Sequence, residues 1–177
     1  MPGARAWAAR VGGVNGCMIL DTGASHYFTG HKHHLVGNVH ACKTPIAGVG
    51  EEAYAVAVGR GRVRLVGGAV LEVGEMFYVP TLGRVTLCSI SSLVEDGHAA
   101  LFGKSGDCHS ATITRTCDGT SLAAVPVQGG LYSVDLLPES GASDPWRGGV
   151  RLDDGGAHKS ANLAGLVRDA EGKLKAN

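Results

Sequence analysis

The sequence predicts an all-β fold, a closed β-barrel carrying one short helix, and three observations predict it. Glycine is abundant, 28 of 177 residues, and cuts the apolar segments into short pieces. Those pieces have strand length and recur between turn signals, as in barrels built from many short strands. Aromatic residues make up only 5%, and helical periodicity is confined to brief segments.

The first strand covers 17–20, the apolar run Cys17-Met18-Ile19-Leu20, and ends in Asp21-Thr22-Gly23-Ala24-Ser25. Residues 53–58 and 62–66 read as two strands parted by Gly59 and Gly61. The second of these begins with polar–apolar alternation, as a half-buried strand does. Gly67-Gly68 is a hairpin turn into a strand over 69–73, followed by another over 75–79. A short helix over 89–96 stops at Gly97. Strands over 98–102, 108–114, 121–127 and 131–134 follow, joined through Gly-Lys-Ser-Gly and Cys-Asp-Gly-Thr turns. Beyond Pro138 the texture changes, and residues 138–157 read as a linker rich in Gly, Asp and Ser. Ser160 then caps a helix with Leu163, Leu166 and Val167 on one face. The expected organisation is an extension over 1–15, a barrel domain over 16–137 and a tail over 138–177.

Composition narrows the function classes. Acidic and basic residues balance at 16 each, so no general electrostatic attraction to nucleic acid or to membranes is expected. No apolar stretch reaches the length of a membrane span. The opening Met1-Pro2-Gly3-Ala4-Arg5 leads into no long apolar core, so the expected location is intracellular, in the cytoplasm. Five cysteines without regular spacing form no disulfide framework, which agrees with a reducing compartment.

The turn after the first strand carries the chemistry. A carboxylate in a tight Thr-Gly turn at the end of a buried strand is how an aspartic protease presents its catalytic group. Peptide hydrolysis needs a base for the attacking water and an acid for the leaving amine. Two carboxylates held together share one proton and supply both roles, titrating as a unit. Asp21 is the candidate catalytic residue, with Thr22, Gly23, Ala24 and Ser25 forming its turn. Gly23 allows the sharp backbone turn, and the Thr22 hydroxyl is expected to hold it. The chain has only one such turn. Asp118-Gly119-Thr120 carries the residues in another order, with no apolar strand before it, and reads as a hairpin turn. The second carboxylate must come from another copy, so the enzyme would be a two-fold homodimer with its site on the axis.

Three segments resemble the protease-to-pre-integrase stretch of a copia-type LTR retrotransposon Gag-Pol polyprotein. Ile19-Leu20-Asp21-Thr22-Gly23-Ala24-Ser25, continued by His26-Tyr27-Phe28-Thr29-Gly30, resembles that family's protease turn. Phe77-Tyr78-Val79-Pro80-Thr81-Leu82 through Leu87-Cys88-Ser89-Ile90-Ser91-Ser92-Leu93 resembles its Val-Pro…Leu-Leu-Ser-Val-Ser…Leu block. Gly129-Gly130-Leu131-Tyr132 resembles the segment before its pre-integrase region. The resemblance covers about Met18 to Val134 and implies a retropepsin-like closed barrel. It also implies an aspartic endopeptidase whose polypeptide substrate is its own polyprotein. Such an enzyme needs a hairpin flap over the substrate, and Ile46-Ala47-Gly48-Val49-Gly50 resembles a flap tip. An ordinary hairpin loop is the equal alternative for Gly48, Val49 and Gly50.

The tail departs from the family. Pre-integrase modules carry a tetrahedral His/Cys zinc site, but here Arg147 follows Trp146 and no cysteine lies beyond Cys117. His158 opens a segment that resembles the one around the second zinc-binding His. One ligand of four makes no structural zinc site, so the tail reads as a truncated remnant. His31-Lys32-His33-His34, with His40 and Cys42, lacks the ligand spacing of a helix or knuckle and reads as a polar surface loop. No metal and no cofactor are therefore expected. His26 reads as a satisfied polar group and Cys88 as a small core residue. Arg60, Arg62 and Arg64 read as a solvated strand face, since aromatics to stack bases are scarce nearby. The rival to the protease is a catalytically inactive barrel remnant serving, if anything, as a protein-interaction domain.

Overall fold

In the computed structural model of the chain, residues 15–47 and 53–138 are described, with the backbone of three short strands further along. The fold is mostly β. Ten strands precede the tail: β1 (Cys17–Asp21), β2 (Tyr27–Thr29), β3 (Leu35–Ala47), β4 (Ala53–Arg64), β5 (Val70–Tyr78), β6 (Val85–Ser89), β7 (His98–Ser105), β8 (Cys108–Arg115), β9 (Ser121–Gln128) and β10 (Leu131–Asp135). Among the described residues there is one α-helix, α1 (Ile90–Glu95), and there are two 3-10 turns, Lys32–His34 and Pro80–Leu82.

The strands form one sheet in the order β11-β3-β4-β5-β2-β6-β1-β10-β9-β8-β7, where β11 is Ala161–Asn162. The order runs from one edge to another and does not close, which corrects the expectation of a closed barrel. The sheet nevertheless wraps a shared core. One apolar cluster joins Met18 and Leu20 of β1, Val63 of β4, Leu71 and Val73 of β5 and Leu93 of α1 to Ile113 of β8 and Val125 of β9. Side chains from distant parts of the sheet thus meet without their backbones pairing. Burial of apolar area, about 25 cal/mol per Å², draws the sheet over on itself where the hydrogen-bond ladder stops.

β1 lies inside the sheet, parallel to β6 and antiparallel to β10. Cys17, Met18, Ile19 and Leu20 are all buried, and a strand covered on both faces reads as an unbroken apolar run. The expected strands at 53–58 and 62–66 are one strand, β4. Its pairing with β5 shifts at Arg60/Gly61, so Gly61 marks a bulge and not a break. There a Cβ would meet Val73 Cγ2 at 2.5 Å and Met76 Cε at 2.7 Å. The expected strands at 69–73 and 75–79 likewise merge into β5. Gly67 and Gly68, both at positive φ, make the expected turn between β4 and β5. The expected helix is present, with Ser89 as its N-cap and Gly97 at positive φ just beyond Asp96.

In the tail, β11, β12 (Leu166–Arg168) and β13 (Leu174–Ala176) are extended, so at these described positions, Leu166 and Val167 included, the backbone is not the helix expected after Ser160; Leu163 lies outside the described residues. Among the described residues no helix is long and apolar enough to cross a membrane.

Candidate active site

Asp21 is the last residue of β1, and its neighbour in the sheet fixes where its carboxylate stands. β6 lies between β1 and β2, parallel to the first and antiparallel to the second, with Asp21 opposite Ser89 and Thr29 opposite Thr86. The connection over residues 22–26 therefore crosses the end of β6 where α1 begins. A turn clamped at both ends onto one central strand has little freedom to move.

Hydrogen bonds fix it further. The Gly23 N–H donates to Asp21 Oδ1 at 2.8 Å, a side-chain-to-backbone turn typical of aspartate. The Ser89 hydroxyl donates to the Ala24 carbonyl at 2.8 Å and accepts the Ser92 N–H at 3.2 Å. The Ser92 hydroxyl donates to the Ser25 carbonyl at 3.2 Å. The N-terminus of α1 thus holds the turn through two serines that the sequence reading did not single out. Their signal was available in the Leu87-Cys88-Ser89-Ile90-Ser91-Ser92 block, which carries an N-cap serine followed three residues later by a second hydroxyl.

The role of Thr22 differs from expectation. Gly23 contributes its N–H to the carboxylate. Thr22 is exposed, and the hydroxyls that pin the turn belong to Ser89 and Ser92. Ala24 is buried and belongs to an apolar cluster with Phe28, Phe77, Ile46 and Ala53. His26 Nδ1 lies 2.9 Å from the Ser25 hydroxyl, and its ring meets Phe77 edge-on with centroids 5.4 Å apart. Burial lowers the His26 pKa, against the opposing pull of Glu75 and Glu95. It is therefore a packed, neutral support beside the turn.

Gly48, Val49 and Gly50 lie outside the described residues. What is described is the hairpin that carries them: β3 and β4 pair antiparallel up to Ile46 opposite Ala53. Both of these flanking residues share the cluster that contains Ala24, so the loop end of the hairpin is tied to the Asp21 turn.

Asp21 itself is half-buried and Thr22 exposed. A single carboxylate in this position can accept hydrogen bonds and bind water. Acting as acid and base together needs a second carboxylate beside it.

The histidine segment is not the polar surface loop expected. Lys32–His34 is a 3-10 turn that buries His34. His34 Nδ1 lies 2.9 Å from Thr29 Oγ1 and 3.2 Å from Thr86 Oγ1, and burial pushes its pKa down to about 2. His31, His33 and His34 come together, while His40 and Cys42 sit on β3, where the Cys42 thiol faces the Ala55 carbonyl. Cys88 is a core residue as expected, with burial raising its thiol to about 12. Arg62 forms an exposed pair with Glu72 on the strand face. The chain matches no protein-family model, no curated protein and no solved structure.

Proposed function

We propose that the chain is an aspartic endopeptidase of a retrotransposon Gag-Pol polyprotein, with a retropepsin-like fold whose sheet stays open. Two copies associate and bring their Asp21 carboxylates together on a two-fold axis. The pair shares one proton, deprotonates the attacking water and protonates the leaving amine. The substrate is an extended polypeptide, the chain's own polyprotein first, handled in the cytoplasm without a cofactor. The β3–β4 hairpin covers it and excludes water.

The observation that carries this reading is the mounting of Asp21. Its carboxylate sits at the end of a buried central strand, in a turn that spans β6 and is held by the Ser89 and Ser92 hydroxyls. Preorganisation of this kind is what acid–base catalysis needs, because a misplacement of an ångström costs orders of magnitude in rate. Partial exposure of Asp21 also leaves room for a second chain to approach. The test is cleavage of peptides spanning the polyprotein junctions by the wild-type chain and by Asp21→Asn, with and without a transition-state peptide mimic. Asp21-dependent cleavage blocked by the mimic supports the proposal, and a monomer with no such cleavage sinks it.

The second reading, an inactive remnant retained for protein interactions, is favoured by one observation: Arg147 follows Trp146 where the zinc module that the tail otherwise resembles has its first His. It predicts the same fold and no hydrolysis.

A further inference from the structure

Histidines three apart on a 3-10 turn lie one above the other, because that turn has three residues. His31 and His34 obey this, with ring centroids 4.6 Å apart. His33 closes the group at 5.2 Å from His31 and 4.8 Å from His34. One candidate ligand nitrogen from each ring lies within 4.8 Å of the other two. Tetrahedral zinc, with Zn–N of about 2.0–2.1 Å, sets its ligand nitrogens about 3.4 Å apart. Closing that difference falls mainly to the partly exposed His33, because His34 is buried and held by its hydroxyl partners.

We propose that His31, His33 and His34 form a binding site for a divalent transition-metal ion of the zinc class, with a fourth position open to water. It is independent of the protease reading. Two further observations support it. The Nδ1 atom of the buried His34 faces the hydroxyls of Thr29 and Thr86, an arrangement that orients the ring and, in the tautomer whose Nδ1–H donates to them, leaves Nε2 as its ligand atom. The Nε2 of His31 is buried and makes no hydrogen bond of proper geometry, although the Arg84 carbonyl is near. A buried ring nitrogen whose backbone contact to Arg84 is so poorly aligned is under-satisfied, and a metal bond would replace that contact.

The chemistry selects among metals. No carboxylate belongs to the group, so hard cations such as calcium and magnesium, which need oxygen ligands, are not suited. Imidazole suits zinc, copper and nickel. The Arg84 charge acts on His31 and opposes a cation, which favours metals with strong imidazole bonds. The ion would clamp the 3-10 turn to β2 and β6 through Thr29 and Thr86, just behind the strand pair that carries the Asp21 turn.

The test titrates the full chain, freed of metal with a chelator, with Zn²⁺ in a calorimeter, and repeats it with Co²⁺ followed by visible absorption. The expected result is one equivalent bound and a cobalt spectrum of tetrahedral type that zinc abolishes. His33 is partly exposed, so His33→Ala removes little packing and is expected to weaken binding at least ~100-fold, beyond the 10–100-fold typical of losing an outer partner. His33→Gln keeps size and polarity and has to show the same loss, while His109→Ala on exposed β8 has to bind like the wild type. Failure of the wild-type chain to take up one equivalent overturns the proposal. So does uptake that His33→Ala and His33→Gln leave unchanged.

Discussion

Asp21 and Ser89 stand opposite each other across the β1–β6 pair, and the account asks different things of them. Asp21→Asn keeps the size of the side chain and removes its acid–base function. Cleavage should fall by about 10⁴-fold, the upper range for a positioned acid or base, while circular dichroism and unfolding midpoint stay unchanged. Ser89→Ala instead attacks the mounting. It removes the α1 cap and leaves the Ala24 carbonyl without its donor, so urea titration should show a loss of about 1–3 kcal/mol. Cys88 makes a third prediction. Its thiol is raised from 9.0 to about 12 by burial and secondarily by Asp96, so the folded state disfavours the thiolate that the unfolded chain forms freely. The resulting stability is complete below pH 9 and is lost as pH rises from there towards 12. At pH 10 the loss should be about 1–2 kcal/mol, and Cys88→Ala should flatten that slope, as urea midpoints between pH 8 and 10 would reveal.

At the scale of elements, legibility followed burial pattern. β1 could be read because both its faces are covered and its sequence is an unbroken apolar run. α1 could be read because Ser89 and Gly97 mark its ends. β3 was missed because its burial is irregular and its pairing with β4 shifts twice, so the apolar alternation that signals a strand is broken. β2 has only three residues, all buried, too few to display a period. β4 was split in two because Gly59 and Gly61 look like breakers, whereas Gly61 makes room for Val73 and Met76 at a bulge. Gly61→Ala should therefore destabilise the fold by about 1–3 kcal/mol through overpacking, measurable by thermal or urea unfolding, whereas a glycine in an open loop would tolerate it. The Asp21 turn is legible as residues; its anchors are not. Ser89 and Ser92 lie more than sixty positions away in sequence, and only the parallel pairing of β1 with β6 brings them to it.

At the scale of the molecule, the sheet has free ends where a closed barrel was expected. A sequence signals strands and turns locally, but closure depends on whether two edge backbones meet in register, which no local pattern encodes. The chain offers one Asp-Thr-Gly turn, and under the proposed mechanism that is half of an acid–base pair, completed by a second copy. Specific activity should then rise with protein concentration until dimers saturate, and sedimentation over the same range should follow the same curve. The most direct measurement mixes wild-type chain with Asp21→Asn at constant total concentration and follows peptide cleavage. If each active site takes one Asp21 from each of two chains, activity falls as the square of the wild-type fraction. A linear fall, or cleavage that does not depend on Asp21, would contradict the shared site.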